Sequence, residues 1–167
     1  FYLPVALEIG PLISTNSFWT KVVAVFPRVE LLKDQFTQAY NLLEPVGQVL
    51  REQGRRPFRL GTFFGATPRT ASSEAVEQAG WDRLNSGYRC PFLVCPNCDS
   101  TLIWLDDHLA RKAETLTCID RCGTQVSEEE VVLTRQRAKD QPPDIIFTTA
   151  ETLNRRLSDT ANRHLFG

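Results

Sequence analysis

Five cysteines crowd one third of the chain, and four of them fall into two short pairs, Cys95-Pro-Asn-Cys98 and Cys118-Ile-Asp-Arg-Cys122, with nineteen residues between the pairs. A close-spaced pair can form a tight turn that aims two thiolates at one point. Two such turns supply the four sulfurs of a tetrahedral structural zinc site. Cys95, Cys98, Cys118 and Cys122 are therefore the candidate metal ligands. Cys90 offers a second solution, a wider first pair in which it replaces Cys95. Buried thiols or two disulfides are the readings without metal. His108 and His164 are read as surface or loop histidines, because four thiolates already close a zinc site.

The elements that must carry these cysteines are short. Residues 86–136 hold every cysteine and three strand candidates, 100–105, 114–117 and 131–134, which is the layout of a zinc ribbon with two metal knuckles on hairpins. Outside this stretch the pattern changes. The run Lys21-Val22-Val23-Ala24-Val25-Phe26 reads as a strand buried on both faces, as do 58–64 and 144–149. A helical pattern follows the first of them through Leu31, Leu32, Phe36, Ala39, Tyr40 and Leu43; Pro45 and Gly47 interrupt it, and it resumes until Gly54. Residues 65–80 read as a polar loop with at most one helical turn, 136–143 as a linker ending in Pro-Pro, and 151–157 as a helix. The expected fold is α/β: a parallel sheet with helices over 1–85 and 137–167, and a four-cysteine zinc ribbon inserted at 86–136.

At 167 residues with 42% hydrophobic content, the chain suits one domain with a small insert, and its net charge of −1 gives no global attraction to nucleic acid or membrane. No apolar run approaches the ~20 residues of a membrane span, and the start from Phe1 to Leu7 lacks the basic segment and cleavage site of a signal peptide. Zinc-spaced cysteines without an export signal indicate the reducing cytoplasm. The lack of an initiator Met, and of any Met, reads as a piece excised from a longer protein.

In an open parallel sheet, ligands bind beyond the carboxyl ends of the strands. Three such ends are distinctive here: Phe26-Pro27-Arg28 running on to Asp34-Gln35, Gly61-Thr62-Phe63-Phe64-Gly65, and Phe147-Thr148-Thr149-Ala150-Glu151. Each offers hydroxyls, a glycine or the free N–H groups of a helix start, all of which suit phosphate.

Taken in order, these segments resemble motif Ia, the glycine segment and motif Ib of superfamily 2 DEAD/DEAH-box helicases. The proline-to-glutamine spacing resembles the branch that includes bacterial phage-defence helicases. The opening Phe1-Tyr2-Leu3-Pro4-Val5 is similar to the segment just after a phosphate-binding Gly-Lys-Thr in that branch, and Arg163 to Gly167 to the lead-in to its Asp-Glu box. The resemblance implies part of a first RecA-like domain that grips single-stranded or duplex nucleic acid by its backbone. Pro27, Arg28, Gly65, Thr148, Thr149, Glu151 and Arg155 would lie on that surface, with Arg156 as a further phosphate contact. Ala150 departs from the family, where proline is common.

The chain has neither a Gly-x-x-x-x-Gly-Lys-Ser/Thr loop nor an Asp-Glu box, so ATP and Mg2+ are implied only for a longer parent polypeptide. The stretch Leu102 to His108 imitates an apolar strand ending in acids, but it lies between the cysteine pairs and is read as a hairpin tip. The basic cluster Arg51, Arg55, Arg56 and Arg59 is read as a solvated helix end. A non-enzymatic zinc-ribbon adaptor for nucleic acid or protein is the alternative function, and another phosphate-binding α/β enzyme a third.

Overall fold

The computed structural model describes residues 2–14, 17–120 and 122–157. Two sheets share one molecule. The first is parallel and four-stranded, ordered β1-β9-β2-β8, with β1 at Val22–Phe26, β2 at Leu60–Phe63, β8 at Val131–Val132 and β9 at Ile145–Thr149. Every pairing in it is parallel. The second is antiparallel, ordered β3-β4-β5-β6-β7, from β3 (Arg83–Leu84), β4 (Gly87–Val94), β5 (Thr101–Leu105), β6 (Leu116–Cys118) and β7 (Gln125–Val126).

The strands β2 and β9 are buried along their whole length, as expected of continuous apolar runs in the middle of a parallel sheet. The expectation fails for β1, an edge strand only half-buried, with Val25 exposed. A run of β-branched residues does not tell an edge from a centre.

Helix α1 (Tyr2–Ile9) packs on the long helix α2 (Val29–Glu52). Contrary to the sequence expectation, α2 is continuous through Pro45 and Gly47 for 24 residues. A helix-interior proline costs about 3 kcal/mol. Burial of one stripe, Leu32, Phe36, Ala39, Tyr40, Leu43, Gly47 and Leu50, offsets it. Gly47 has a packing reason: a Cβ there would meet Pro57 Cβ at 3.1 Å.

The cysteine-bearing sheet packs into the body of the molecule. Strand β4 lies against α2, and Phe92 stacks edge-on with Phe36, Phe64 and Trp81 at 5.2, 6.2 and 5.7 Å. Trp81 continues to Trp104 of β5 at 5.7 Å, so one buried cluster runs through both sheets. The strand candidate 131–134 also lands elsewhere than expected: Val131–Val132 pairs with β2 in the parallel sheet, not in the ribbon. Its place is locked by the buried Glu114, whose carboxylate accepts from Leu133 N–H at 2.6 Å, Thr134 N–H at 3.2 Å and the Thr134 hydroxyl at 2.5 Å.

The expected linker is a short helix, α5 (Arg135–Asp140), capped by Thr134, which accepts from Arg137 N–H at 3.1 Å. Pro142 and Pro143 are buried. The remaining helices are α3 (Ser73–Gln78), α4 (Asp106–Ala110) and α6 (Ala150–Leu157). The expected hairpin tip is thus β5 running into α4, where Asp106 pairs with Arg83 at 2.6 Å instead of serving a metal.

Candidate functional site

Two places bring together residues singled out in the sequence. At the first, Cys95 and Cys98 sit on the turn between β4 and β5, and Cys118 and Cys122 on the turn between β6 and β7. Each turn is shaped like a metal knuckle. Cys95 N–H donates to Ser100 O at 2.8 Å, and Asp99 N–H to Cys95 O at 2.9 Å, with Asp99 in the left-handed region at φ 56°. In the second turn Cys118 N–H donates to Thr124 O at 3.1 Å, and Gly123 takes φ 84°, which glycine adopts without strain.

The turns face each other because β5 and β6 pair with Leu102 opposite Cys118, and Ile119 N–H donates to Thr101 O at 3.0 Å. Sulfur separations are 3.5 Å for Cys95–Cys122, 3.5 Å for Cys98–Cys118 and 3.6 Å for Cys98–Cys122, and all four sulfurs lie within 4.8 Å of one another. A tetrahedron with metal–sulfur bonds of about 2.3 Å has edges of about 3.8 Å. The cluster is therefore close enough to form a zinc site, and it is the one group of metal-ligand type among the described residues.

The thiol environments differ. The Thr124 hydroxyl, 3.1 Å from Cys122 Sγ, and the Thr124 backbone hold the Cys122 thiol down to about 6. Burial raises Cys118. Cys98, although the backbone of Ser100 lowers it, is pushed up to about 12 by its thiol neighbours and desolvation. Cys90 is not in the cluster. It is buried in β4, and burial pushes its thiol up to about 12, which makes it a core residue and not an alternative ligand.

The second place is the carboxyl edge of the parallel sheet. Phe26 at the end of β1 pairs with Thr149 at the end of β9, and Phe63 at the end of β2 pairs with Thr148. The three chain segments thus leave the sheet at one level. Pro27 and Arg28 are exposed there; Arg28 is the backbone N-cap of α2, and no side chain caps that helix. Gly65 is exposed, and a Cβ on it would meet nothing within 4 Å, so the fold itself does not require glycine at this point.

The threonine pair behaves differently. Thr148 is fully buried and its hydroxyl donates to Phe63 O at 2.6 Å, which ties β9 to β2 and takes that hydroxyl away from the surface. Thr149 caps α6, accepting from Thr152 N–H at 3.2 Å and donating to Thr152 Oγ1 at 2.9 Å. Glu151 and Arg155 are exposed and pair with each other at 2.7 Å across one turn. Arg163 to Gly167, His164, Phe1 and the side chain of Arg156 lie outside the described residues.

A third group differs from its reading in the sequence. The arginines expected to be a solvated helix end are largely built into the amino edge of the sheet. Asp144, wholly buried just before β9, pairs with Lys21 at 2.8 Å and with Arg56 at 2.6 and 2.8 Å, and accepts from Arg59 N–H at 2.9 Å. The signal was present only as Asp-Ile-Ile after Pro-Pro, an acid at a strand start with no hint of its distant partners.

No family model and no curated protein matches this chain. Among the described residues no helix is long and apolar enough to cross a membrane.

Proposed function

We propose that the chain is the nucleic-acid-facing part of the first motor domain of a superfamily 2 DEAD/DEAH-box helicase or translocase, and that its cysteine cluster holds a structural zinc ion. One observation carries the first part: three neighbouring parallel strands end at the same level, with Pro27–Arg28, Gly65 and Ala150–Glu151 exposed along one edge and Thr149 buried behind them. Strand ends of this kind, with an uncapped 24-residue helix starting at Arg28, combine a cation with free N–H groups. That combination suits a sugar-phosphate backbone. Arg28 supplies the charge, Gly65 permits close approach, and the start of α6 at Thr149 supplies N–H groups. Arg155 contributes once Glu151 releases it. Thr148 acts from beneath, fixing β9 against β2.

ATP and Mg2+ would be bound by other segments of a parent polypeptide, since this chain carries no phosphate-binding Gly-Lys-Thr loop and no Asp-Glu box. Zinc is the metal that four thiolates at these separations suit best, with the ion closing two turns of the antiparallel sheet and leaving no open position for catalysis.

Both parts are testable. Binding of a single-stranded oligonucleotide by the intact polypeptide, titrated with salt, should weaken about equally across sequences in Arg28→Ala, and the salt slope should fall by roughly one counterion. ATP hydrolysis stimulated by nucleic acid should drop while the unstimulated rate holds. Unchanged affinity and stimulation would favour a zinc-bearing adaptor. Protein purified without added zinc should contain one zinc per chain, lost in Cys118→Ser with Cys122→Ser and retained in Cys90→Ser. Zinc retained by the double variant would refute the ligand set.

A further inference from the structure

At the amino edge of the parallel sheet lies a cavity of about 440 Å³, lined by Arg51, Arg56, Arg59, Arg137, Glu128 and Gln141 among others. Most of its cations are already answered. Arg51 pairs with Glu130 at 2.9 Å, Arg137 with Glu128 at 2.9 Å, and Arg56 with Asp144. Arg55, also at the cavity, donates to Ile13 O at 2.7 Å and to Gly10 O.

Arg59 differs. It is 2% exposed, and its guanidinium reaches only Gln141 Oε1 at 3.4 Å and Glu128 O at 3.3 Å, both long. Its Nε, and that of Arg137, are buried with no acceptor. Asp144 takes the backbone N–H of Arg59 and not its side chain. Burial, and then repulsion from Arg137 and Arg56, outweigh the attraction of Asp144 and Glu114 and lower the Arg59 pKa to about 10, which leaves it charged at neutral pH. A buried guanidinium without a carboxylate partner is costly unless something else supplies the negative charge.

We propose that this cavity binds a small phosphorylated anion, its phosphate group held by the guanidinium of Arg59 and by that of Arg137, which Glu128 engages through one terminal nitrogen only. Two planar forks facing one cavity match the oxygens of a phosphate dianion. The size is that of a small-molecule site. A nucleic-acid strand fits less well, because the ring of Phe18, the aromatic lining the cavity, is already covered by Arg56 and Arg59, with Cζ at 5.0 and 4.9 Å from its centroid. No base can stack there. The site lies at the opposite ends of the strands from Arg28, so it is separate from the nucleic-acid edge proposed above and does not depend on it.

Calorimetric titration of the metal-loaded protein with pyrophosphate and with orthophosphate, at ionic strength held constant with chloride, tests the proposal. One saturable site per chain is expected, weakened about tenfold or more in Arg59→Gln and in Arg137→Gln, since each removes charged hydrogen bonds to the phosphate. Arg28→Ala should leave it unchanged. Circular dichroism checks the fold of each variant, and Arg137→Gln, at a partly exposed position, carries the test if Arg59→Gln does not fold. Absence of saturable binding, or undiminished binding in the folded variants, would overturn the site. So would loss of oligonucleotide binding in Arg137→Gln without any phosphate binding, which would assign the cavity to a strand.

Discussion

The two edges of the parallel sheet are built from the same strands and do opposite things with charge. At the amino edge, Asp144 is wholly buried and gathers Lys21, Arg56 and a backbone N–H, with side-chain exposures of 1% for Lys21 and 9% for Arg56. At the carboxyl edge, Arg28 stands exposed with no ion pair among the described residues, and Arg155 meets Glu151 only across open surface. The contrast teaches where to look for stability and where for binding. A buried pair is costly to break from one side, whereas an exposed cation contributes little to folding and keeps its charge for a partner.

Asp144→Ala should destabilise the molecule most. It leaves two buried cations without a carboxylate and the Arg59 N–H without its acceptor, and should cost about 3–5 kcal/mol of folding stability by urea denaturation. A loss under 1 kcal/mol would mean that the amino edge is not held by this carboxylate.

Glu114 gives the next largest effect, because it ties the loop before β6 to the segment just after β8. Glu114→Ala leaves the N–H groups of the buried Leu133 and Thr134 unpaired, at about 1–3 kcal/mol for each such group. Glu114→Gln probes the charge alone. Burial raises the Glu114 carboxyl above its ordinary value of 4.5, against the hydrogen bond from Thr134, so the folded state holds the proton more tightly than the unfolded chain. That stabilisation is full below 4.5 and is lost as pH rises through the folded value. Denaturation of both proteins across this range should therefore show Glu114→Gln gaining on the wild type as pH rises. A difference that stays constant with pH would rule out the raised carboxyl.

The smallest effect belongs to the carboxyl edge. Arg28→Ala should change stability by no more than about 0.5 kcal/mol, as exposed surface substitutions do. A large loss would make Arg28 a structural residue and weaken its proposed role.

The same contrast explains what was legible in the sequence. The cysteine site was readable because its chemistry is local: two short turns carry all four ligands, and only the β5–β6 pairing brings the turns together. The central strands were readable because burial on both faces writes a continuous apolar run. Strand β4 was missed because Pro91 interrupts it; the pairing with β5 shifts register between Arg89 and Val94, which accommodates a residue without an N–H. The two residues of β8 were too few to say which sheet they join. The amino-edge network was unreadable because Arg56 and Asp144 are 88 positions apart, and a sequence shows four nearby arginines but not the acid that folds back onto them. Thr148 reads as a surface hydroxyl because alternation along a strand does not reveal that a neighbouring carbonyl, Phe63 O, accepts its hydrogen bond.

Whether the carboxyl edge meets nucleic acid, as proposed, is decided most directly by hydrogen–deuterium exchange on the intact polypeptide with and without a single-stranded oligonucleotide. Slower exchange is predicted at the carboxyl edge, in the first amides of α2 after Arg28, at Gly65 and Ala66, and at the start of α6. The amides at 55–60 and 128–131, on the amino edge, should be unaffected. Protection confined to the amino edge, or none at either edge despite saturating oligonucleotide, would contradict the account.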